Sequence, residues 1–328
     1  MSILSPLTSY FKIMPEITRY TASQSAEWNE FVQQSKQGTF LFHRSYMDYH
    51  ADRFADHSLM VWHKGRLSAL LPANECDSTL YSHQGLTYGG LITDQQGTSA
   101  FVCDTMAAIN RYLVQQGFKQ VVYKTVPWPY HRLPAEEDLY AITHVCKGQL
   151  TVRHISSTID LSKRLPFTES RRSGLRKALA AGLQVRESGI EGLEGFWHVL
   201  SDNLSMKYAA QPVHTVEEMR LLMECFPQNI RLFTVEDGDK VMGGTVIYLT
   251  PQVAHTQYIS ASPEGKQYGA LDLLFDYVLD LDFDCRYFDF GKSSDGDGDA
   301  LNRPLIFQKE GFGGRGVCYD WYQWEVRS

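Results

Sequence analysis

Residues 230–290 constrain the fold most. Three strand-like runs at 230–236, 241–249 and 254–261 are followed by a helical stretch at 266–281 and a short strand at 287–290. Asp237-Gly238-Asp239 and Pro251 separate the runs; glycine and aspartate tolerate positive φ and proline locks φ at about −65°, so both breaks read as turns. Strands that meander and then cross over through one helix build a mixed α/β sheet. A doubly wound Rossmann sheet needs strands and helices to alternate throughout, and these runs do not.

The rest of the chain fits the same class. Residue 25 opens an expected helix over 26–34, with Trp28, Phe31 and Val32 on one face. Runs at 58–63 and 67–73 around Lys64-Gly65 read as a hairpin, 98–116 as a helix stopped by Gly117, and 120–124 as a strand. Pro127, Pro129 and Pro134 impose an extended loop before a short helix at 135–140. Beyond it come a strand at 151–161 and helices at 169–181, 193–206 and 216–225. At about 150 residues per domain, the 328 residues predict two domains, placed at 15–150 and 151–328.

Composition removes several classes of function. The chain is 43% hydrophobic and 21% charged, enough to build real cores. Its formal charge of −7 argues against a uniformly basic nucleic-acid binder, so no DNA partner is expected. The longest apolar runs are short pieces such as 106–109 and 246–249, far below the roughly 20 residues a membrane-spanning helix needs. Residues 1–14 lack the charged start and apolar stretch of a signal peptide. The six cysteines stand at 76, 103, 146, 225, 285 and 318 with no C-x-x-C, which predicts scattered, mostly buried reduced thiols and a cytoplasmic setting.

Two motifs mislead. Asp289-Phe290-Gly291 spells the kinase D-F-G, but the glycine-rich loop, V-A-I-K and H-R-D that a kinase requires are absent. Asp295, Asp297 and Asp299 imitate a calcium loop, yet its twelfth position falls on Ile306 where a bidentate glutamate belongs. No P-loop, G-x-S-x-G or H-E-x-x-H is present, and no metal site is expected.

Four segments ask for more than packing. The run at 82–90 sets three glycines beside His83 and Tyr88, which permits close backbone approach to a ligand or simply a tight turn. At 258–270 a strand runs through Ser262-Pro263-Glu264-Gly265 into a helix carrying Lys266, Gly269 and Ala270; this is either an anion site at a helix start or a routine connection. Asp289 and Lys292 precede a stretch from Asn302 through Lys309 and Glu310 to Gly311-Phe312-Gly313-Gly314-Arg315, placing charge beside flexible backbone. Residues 163–177 hold six cations and one anion, with Arg172 and Arg176 at i, i+4 on one helix face. That face is either solvated or docks a phosphate-bearing partner.

Taken in order, these segments resemble the GNAT-like acyltransferases of the Fem type, in which two GNAT-like (acyl-CoA N-acyltransferase) domains stand in tandem. The matching pieces are S-H-x-G-L-T-Y-G-G at 82–90, R-x-x-x-R-K-A ending at Ala178, Y-x-x-A-S at 258–262, K-x-x-G-A at 266–270 and Q-K-E-x-F-G-G-R at 308–315. The look-alikes include acetyltransferases acting on amino-sugars of bacterial surface polysaccharides. The better-known Fem enzymes attach amino acids from aminoacyl-tRNA to peptidoglycan precursors. The chain departs from both. Lys266 replaces the Gln or Arg of the ordinary GNAT loop and Leu271 its final Gly or Ala, while no long heptad stretch supplies a tRNA-engaging arm.

The resemblance implies direct attack of an amine on an activated carbonyl, without a covalent enzyme intermediate. Lys309 matches the family lysine and would stabilise negative charge; Asp289 and His83 are candidates to accept the amine proton, and Tyr258 to donate one or orient the acyl group. Lys266, Gly269 and Ala270 would hold the acetyl-CoA or other acyl-CoA donor. Tyr88, Arg172, Arg176 and Asn302 would bind the acceptor, such as a nucleotide- or lipid-linked sugar. Two alternatives stay open: an aminoacyl-tRNA donor, and a non-catalytic module that binds a glycan precursor or a partner protein.

Overall fold

The computed structural model describes residues 14–296 and 298–327, so residues 1–14 are reached only at Met14 and Asp297 of the calcium-like triad lies outside the described residues. The first half runs β1 (Glu16–Arg19), α1 (Ser25–Gln34), α2 (Arg44–Met47), β2 (Ala55–Asp56), β3 (Leu59–His63) and β4 (Arg66–Leu71). It continues through β5 (Asn74–Cys76), β6 (Thr79–Tyr81), β7 (Ile92–Thr93), α3 (Ser99–Gln115), β8 (Gln120–Lys124) and α4 (Glu137–Ala141). The second half opens with β9 (Gln149–Asp160), α5 (Glu169–Ala180), β10 (Gln184–Glu187), α6 (Leu193–Tyr208) and α7 (Val216–Cys225). After β11 (Ile230–Asp237), β12 (Lys240–Leu249) and β13 (Val253–Ala261) come α8 (Pro263–Tyr268), α9 (Ala270–Leu279) and β14 (Tyr287–Lys292). The two-residue strands β15 (Ser294–Asp295) and β16 (Ala300–Leu301), α10 (Arg303–Gly311) and β17 (Arg315–Glu325) close the chain.

The two halves share one sheet of eleven strands, ordered β10-β11-β12-β13-β14-β9-β17-β8-β6-β5-β2, beside a four-stranded sheet β1-β3-β4-β7. The last strand, β17, joins them by pairing antiparallel with both β9 and β8. Each half contributes one parallel pair to the large sheet, β6 with β8 and β13 with β14. The β13–β14 pairing is short: Val253, Ala254 and His255 face Tyr287, Phe288 and Asp289, and no further pair follows. Beyond that step β13 stays with β12 while β14 stays with β9, and the strands part.

One apolar core spans the halves, placing Trp28, Phe42, Tyr46, Leu86 and Tyr130 of the first against Leu193, Phe196, Trp197, Tyr248 and Tyr319 of the second. Two smaller cores lie under α3 and under α9. No described helix is long and apolar enough to cross a membrane.

The elements differ from expectation in three places. The single helix expected at 266–281 is two, α8 and α9, broken at Gly269 with φ +78°. A Cβ on Gly269 would sit 2.3 Å from the Gly174 carbonyl oxygen of α5, so this glycine buys close helix packing. Gln24, not Ser25, occupies the cap of α1, because a 3-10 turn at Ala22–Gln24 precedes the helix. The thiols are free, as expected, but Cys146 alone is fully buried; Cys76, Cys225 and Cys318 are exposed, Cys76 and Cys318 on strand faces turned to solvent.

Candidate functional site

The parting of β13 and β14 leaves a crevice of about 350 Å³ lined by His255, Gln257, Lys292 and Lys309, with Thr87 reaching in from the first half. A larger hollow of about 810 Å³, lined by Trp128, Tyr140, Arg286 and Tyr287, lies at the opposite ends of the same strands and contains none of the expected site residues.

Asp289 ends the paired part of β14 and is fully buried. Its Oδ1 accepts from Ser156 Oγ and from Thr158 Oγ1 at 2.9 Å, both on β9. Its Oδ2 lies 2.6 Å from Tyr319 Oη, 2.9 Å from Tyr130 Oη and 2.9 Å from His255 Nδ1. Burial alone would raise this carboxyl. Hydrogen bonds from His255, Ser156 and Tyr319, with the attraction of His255, outweigh it and hold Asp289 below the usual carboxylate range. With its lone pairs occupied and its charge stabilised, Asp289 is a poor proton acceptor and a strong orienting group for His255.

Lys309 sits on the last turn of α10 and is buried. Its ammonium donates to the carbonyls of Gly291 and Lys292, each at 2.8 Å, which leaves one N–H of three for the crevice. Burial lowers its pKa to about 8, with the Asp289 charge acting the other way. Asn302 caps the same helix: its Oδ1 accepts from Leu305 N at 3.1 Å and its amide donates to Asp295 at 3.0 Å. It therefore sets the helix that carries Lys309 and does not line the crevice.

Tyr88 belongs to the shared core, its ring 4.5 Å from that of Tyr130 and its hydroxyl donating to Thr39 at 3.2 Å. The loop that carries it is tied down by Lys124, whose ammonium donates to the carbonyls of His83, Gln84 and Leu86 at 3.1, 3.1 and 2.8 Å. His83 turns away from the crevice to stack on His50, with ring centroids 5.4 Å apart. Burial, then repulsion from His50, lowers His83 to about 3.

Tyr258 also faces away. Tyr258 is not among the residues that line the crevice, and its ring packs on Trp197 instead. There its hydroxyl meets His214 Nδ1 at 2.6 Å, and burial pushes the phenol up to about 12.

The cationic stretch on α5 divides by helix face. Arg172 and Arg176 are exposed and both pair with Glu169, whereas Arg171 turns inward to Asp272 at 2.9 Å. Gly174 lets α5 lie directly on α9, since a Cβ there would strike the Asp272 carboxylate at 1.8 Å.

The turn at 262–270 is filled by the chain itself. Gly265 N donates to Ser262 Oγ at 3.0 Å and Lys266 N to the Ser262 carbonyl at 2.9 Å. Pro263 offers no N–H, and Glu264 brings a negative charge, paired with Lys240, to the first turn. Lys266 bonds to Asn203, Gly269 packs on Gly174, and Ala270 is buried. Such a turn offers little to a pyrophosphate.

Of the residues expected from sequence, the structure brings Lys309 within electrostatic reach of Asp289 and sets Tyr88 against Tyr130, a donor to Asp289. It keeps His83, Tyr258, Arg172, Arg176, Lys266, Gly269, Ala270 and Asn302 off the crevice walls. Sequence reasoning misses His255, Tyr130, Tyr319, Ser156 and Thr158. The alternation of β13 and the juxtaposed Asp289 mark His255 only once the strand register is known.

The family model of the acetyltransferase (GNAT) domain matches residues 168–299. No curated protein matches the chain by sequence. Among solved structures it is similar to FemX, at 11% identity and a TM-score of 0.65, covering 93% of this chain and 96% of that one. It is also similar to L-PGS from Bacillus licheniformis, at 11% identity and a TM-score of 0.57, covering 94% of each. A tandem GNAT protein from the clavulanic acid biosynthesis pathway aligns at 11% identity and a TM-score of 0.52, over 96% of this chain and 99% of that one. With a GNAT domain in its second half and these likenesses along almost its whole length, the chain has the tandem GNAT-like acyltransferase fold of the Fem type.

Proposed function

We propose that the protein is an N-acyltransferase, with its reaction centre in the crevice where β13 and β14 part. The observation that carries this reading is the convergence there of the His255–Asp289 pair and Lys309. Asp289 accepts from His255 Nδ1 and so leaves Nε2 as the basic nitrogen on the crevice wall, suited to take a proton from an attacking amine. Attack on the acyl carbonyl builds an oxyanion, and the remaining N–H of Lys309 is a preorganised donor for it. The tetrahedral species then collapses, expelling the carrier, which takes up the proton held by His255. Tyr130 and Tyr319 hold the Asp289 side of the pair, and Asn302 holds the helix of Lys309.

The resemblance favours an acetyl group from acetyl-CoA and an amino-sugar acceptor of a surface polysaccharide precursor, handled in the cytoplasm. A second reading has its own support. Because the turn at Ser262–Lys266 is closed by internal hydrogen bonds and Glu264, a donor other than an acyl-CoA, such as aminoacyl-tRNA, fits it better. We place the division of the halves at residue 150, immediately inside the start of β9.

Thermal unfolding with acetyl-CoA, free CoA and a non-nucleotide polyanion separates the donors. A ligand at about 100 times its dissociation constant adds roughly 2.7 kcal/mol. A rise specific to CoA compounds supports the acyl-CoA donor; no such rise, the outcome the filled turn favours, supports the second reading.

A further inference from the structure

Among the described residues that line the crevice, Lys292 carries a charge that the reaction above does not use. It is the last residue of β14, largely buried, and its ammonium stands over the Trp321 ring at 5.5 Å. Lys124 stands over the same indole at 5.0 Å. Lys124 spends its three N–H groups on loop carbonyls and Lys309 spends two on Gly291 and Lys292. Lys292 Nζ donates no hydrogen bond to any described residue.

A second group points the same way. Thr256 also lines the crevice, and its Oγ1 is buried with no partner among the described residues. Asp289, the carboxylate beside Lys309, is already occupied by donors from His255, Ser156, Thr158 and the two tyrosines. Among the described residues the crevice thus gathers lysine charge with no carboxylate on its walls to answer it. A buried cation without an acceptor is costly, and an unpaired hydroxyl from the same crevice lining adds a second polar group for the same visitor.

We propose that Lys292, with Thr256, binds an oxyanion group of the substrate, a phosphate or a carboxylate carried close to the reacting amine or acyl group. The lysine is suited to this as a compact point charge with three donors, and its Trp321 contact keeps it in place without consuming an N–H. The inference deepens the acyltransferase reading by naming the chemistry of the substrate, and it rests on that reading only for calling the ligand a substrate.

The test is a lysine footprint on the full chain. The protein is labelled briefly with acetic anhydride, and the modification of Lys292 is quantified by peptide mass spectrometry. Pyrophosphate and succinate serve as probes against sodium chloride of equal ionic strength. At ten times its dissociation constant a probe slows Lys292 labelling about tenfold by occupancy alone, while labelling of the exposed Lys64 and Lys119 stays unchanged. Protection by pyrophosphate assigns a phosphate-bearing ligand, and protection by succinate a carboxylate. Labelling indifferent to both probes overturns the proposal. Lys292→Arg should keep the probe-induced rise in unfolding temperature and Lys292→Met should lose it; an undiminished rise in Lys292→Met also overturns it. Protection in a protein that transfers no acyl group upholds the site and removes the acyltransferase reading; transfer without protection does the reverse.

Discussion

His255 Nδ1 stands 2.9 Å from Asp289 Oδ2 at the last paired step between β13 and β14, and the strands separate immediately beyond it. The register of the sheet therefore backs His255 on the crevice wall with a buried carboxylate. Position in the ladder, not proximity in sequence, makes the pair.

Removing its basic member should affect rate far more than stability. His255→Gln keeps a side chain of similar reach but no ring nitrogen to accept a proton, and turnover should fall by about 10²–10⁴-fold, the usual worth of a positioned general base. Steady-state kinetics beside an unfolding midpoint checks this.

Asp289→Ala should act on the fold. It strands a buried set of donors from Ser156, Thr158, Tyr130, Tyr319 and His255. Leaving a buried donor without its acceptor costs about 1–3 kcal/mol each, and urea unfolding reads the loss directly.

Gly269→Ala distinguishes packing from cofactor binding in the K-x-x-G-A run. The new Cβ would meet the Gly174 carbonyl at 2.3 Å on a backbone with φ +78°. Left-handed backbone on an alanine alone costs about 1–3 kcal/mol. We expect a lower urea midpoint, with catalytic constants at permissive temperature unchanged.

Stability should also fall in acid. Burial first, then repulsion from His50, holds His83 at about 3, and burial holds His214 at about 4, both below the ordinary 6.5. The unfolded chain takes up these protons first. Their contribution is therefore fully present above pH 6.5 and is lost as pH falls toward the folded values. Each proton gives a slope of about 1.4 kcal/mol per pH unit. Urea unfolding between pH 7.5 and 4.5 measures it, and His83→Phe should remove one proton from the slope.

Local signals were readable where they were local. The 10 residues of α7 and the five of β8 stand where side-chain period and breakers put them. Lys309 and Asp289 were legible because motif residues flank each in sequence. The remainder of the site was not, since Tyr130, Ser156, Thr158, His255 and Tyr319 come from separate elements and meet only through strand pairing. Arg172 and Arg176 show the converse. Their helical spacing holds, but it satisfies Glu169 on the surface. The break at Gly269 escaped a periodicity argument because apolar spacing continues across it; its cause is the α5 backbone, about a hundred residues upstream.

The most direct measurement is amide formation by the wild-type chain and by Lys309→Met, matched for folded fraction by their unfolding midpoints. The acceptor is an amino-sugar, the donors are acetyl-CoA and aminoacyl-tRNA offered separately, and mass spectrometry detects the product. The account predicts product from wild type with one of the donors and a loss of about 10²–10³-fold in Lys309→Met, the worth of a preorganised oxyanion donor. Equal turnover by the two proteins would contradict it.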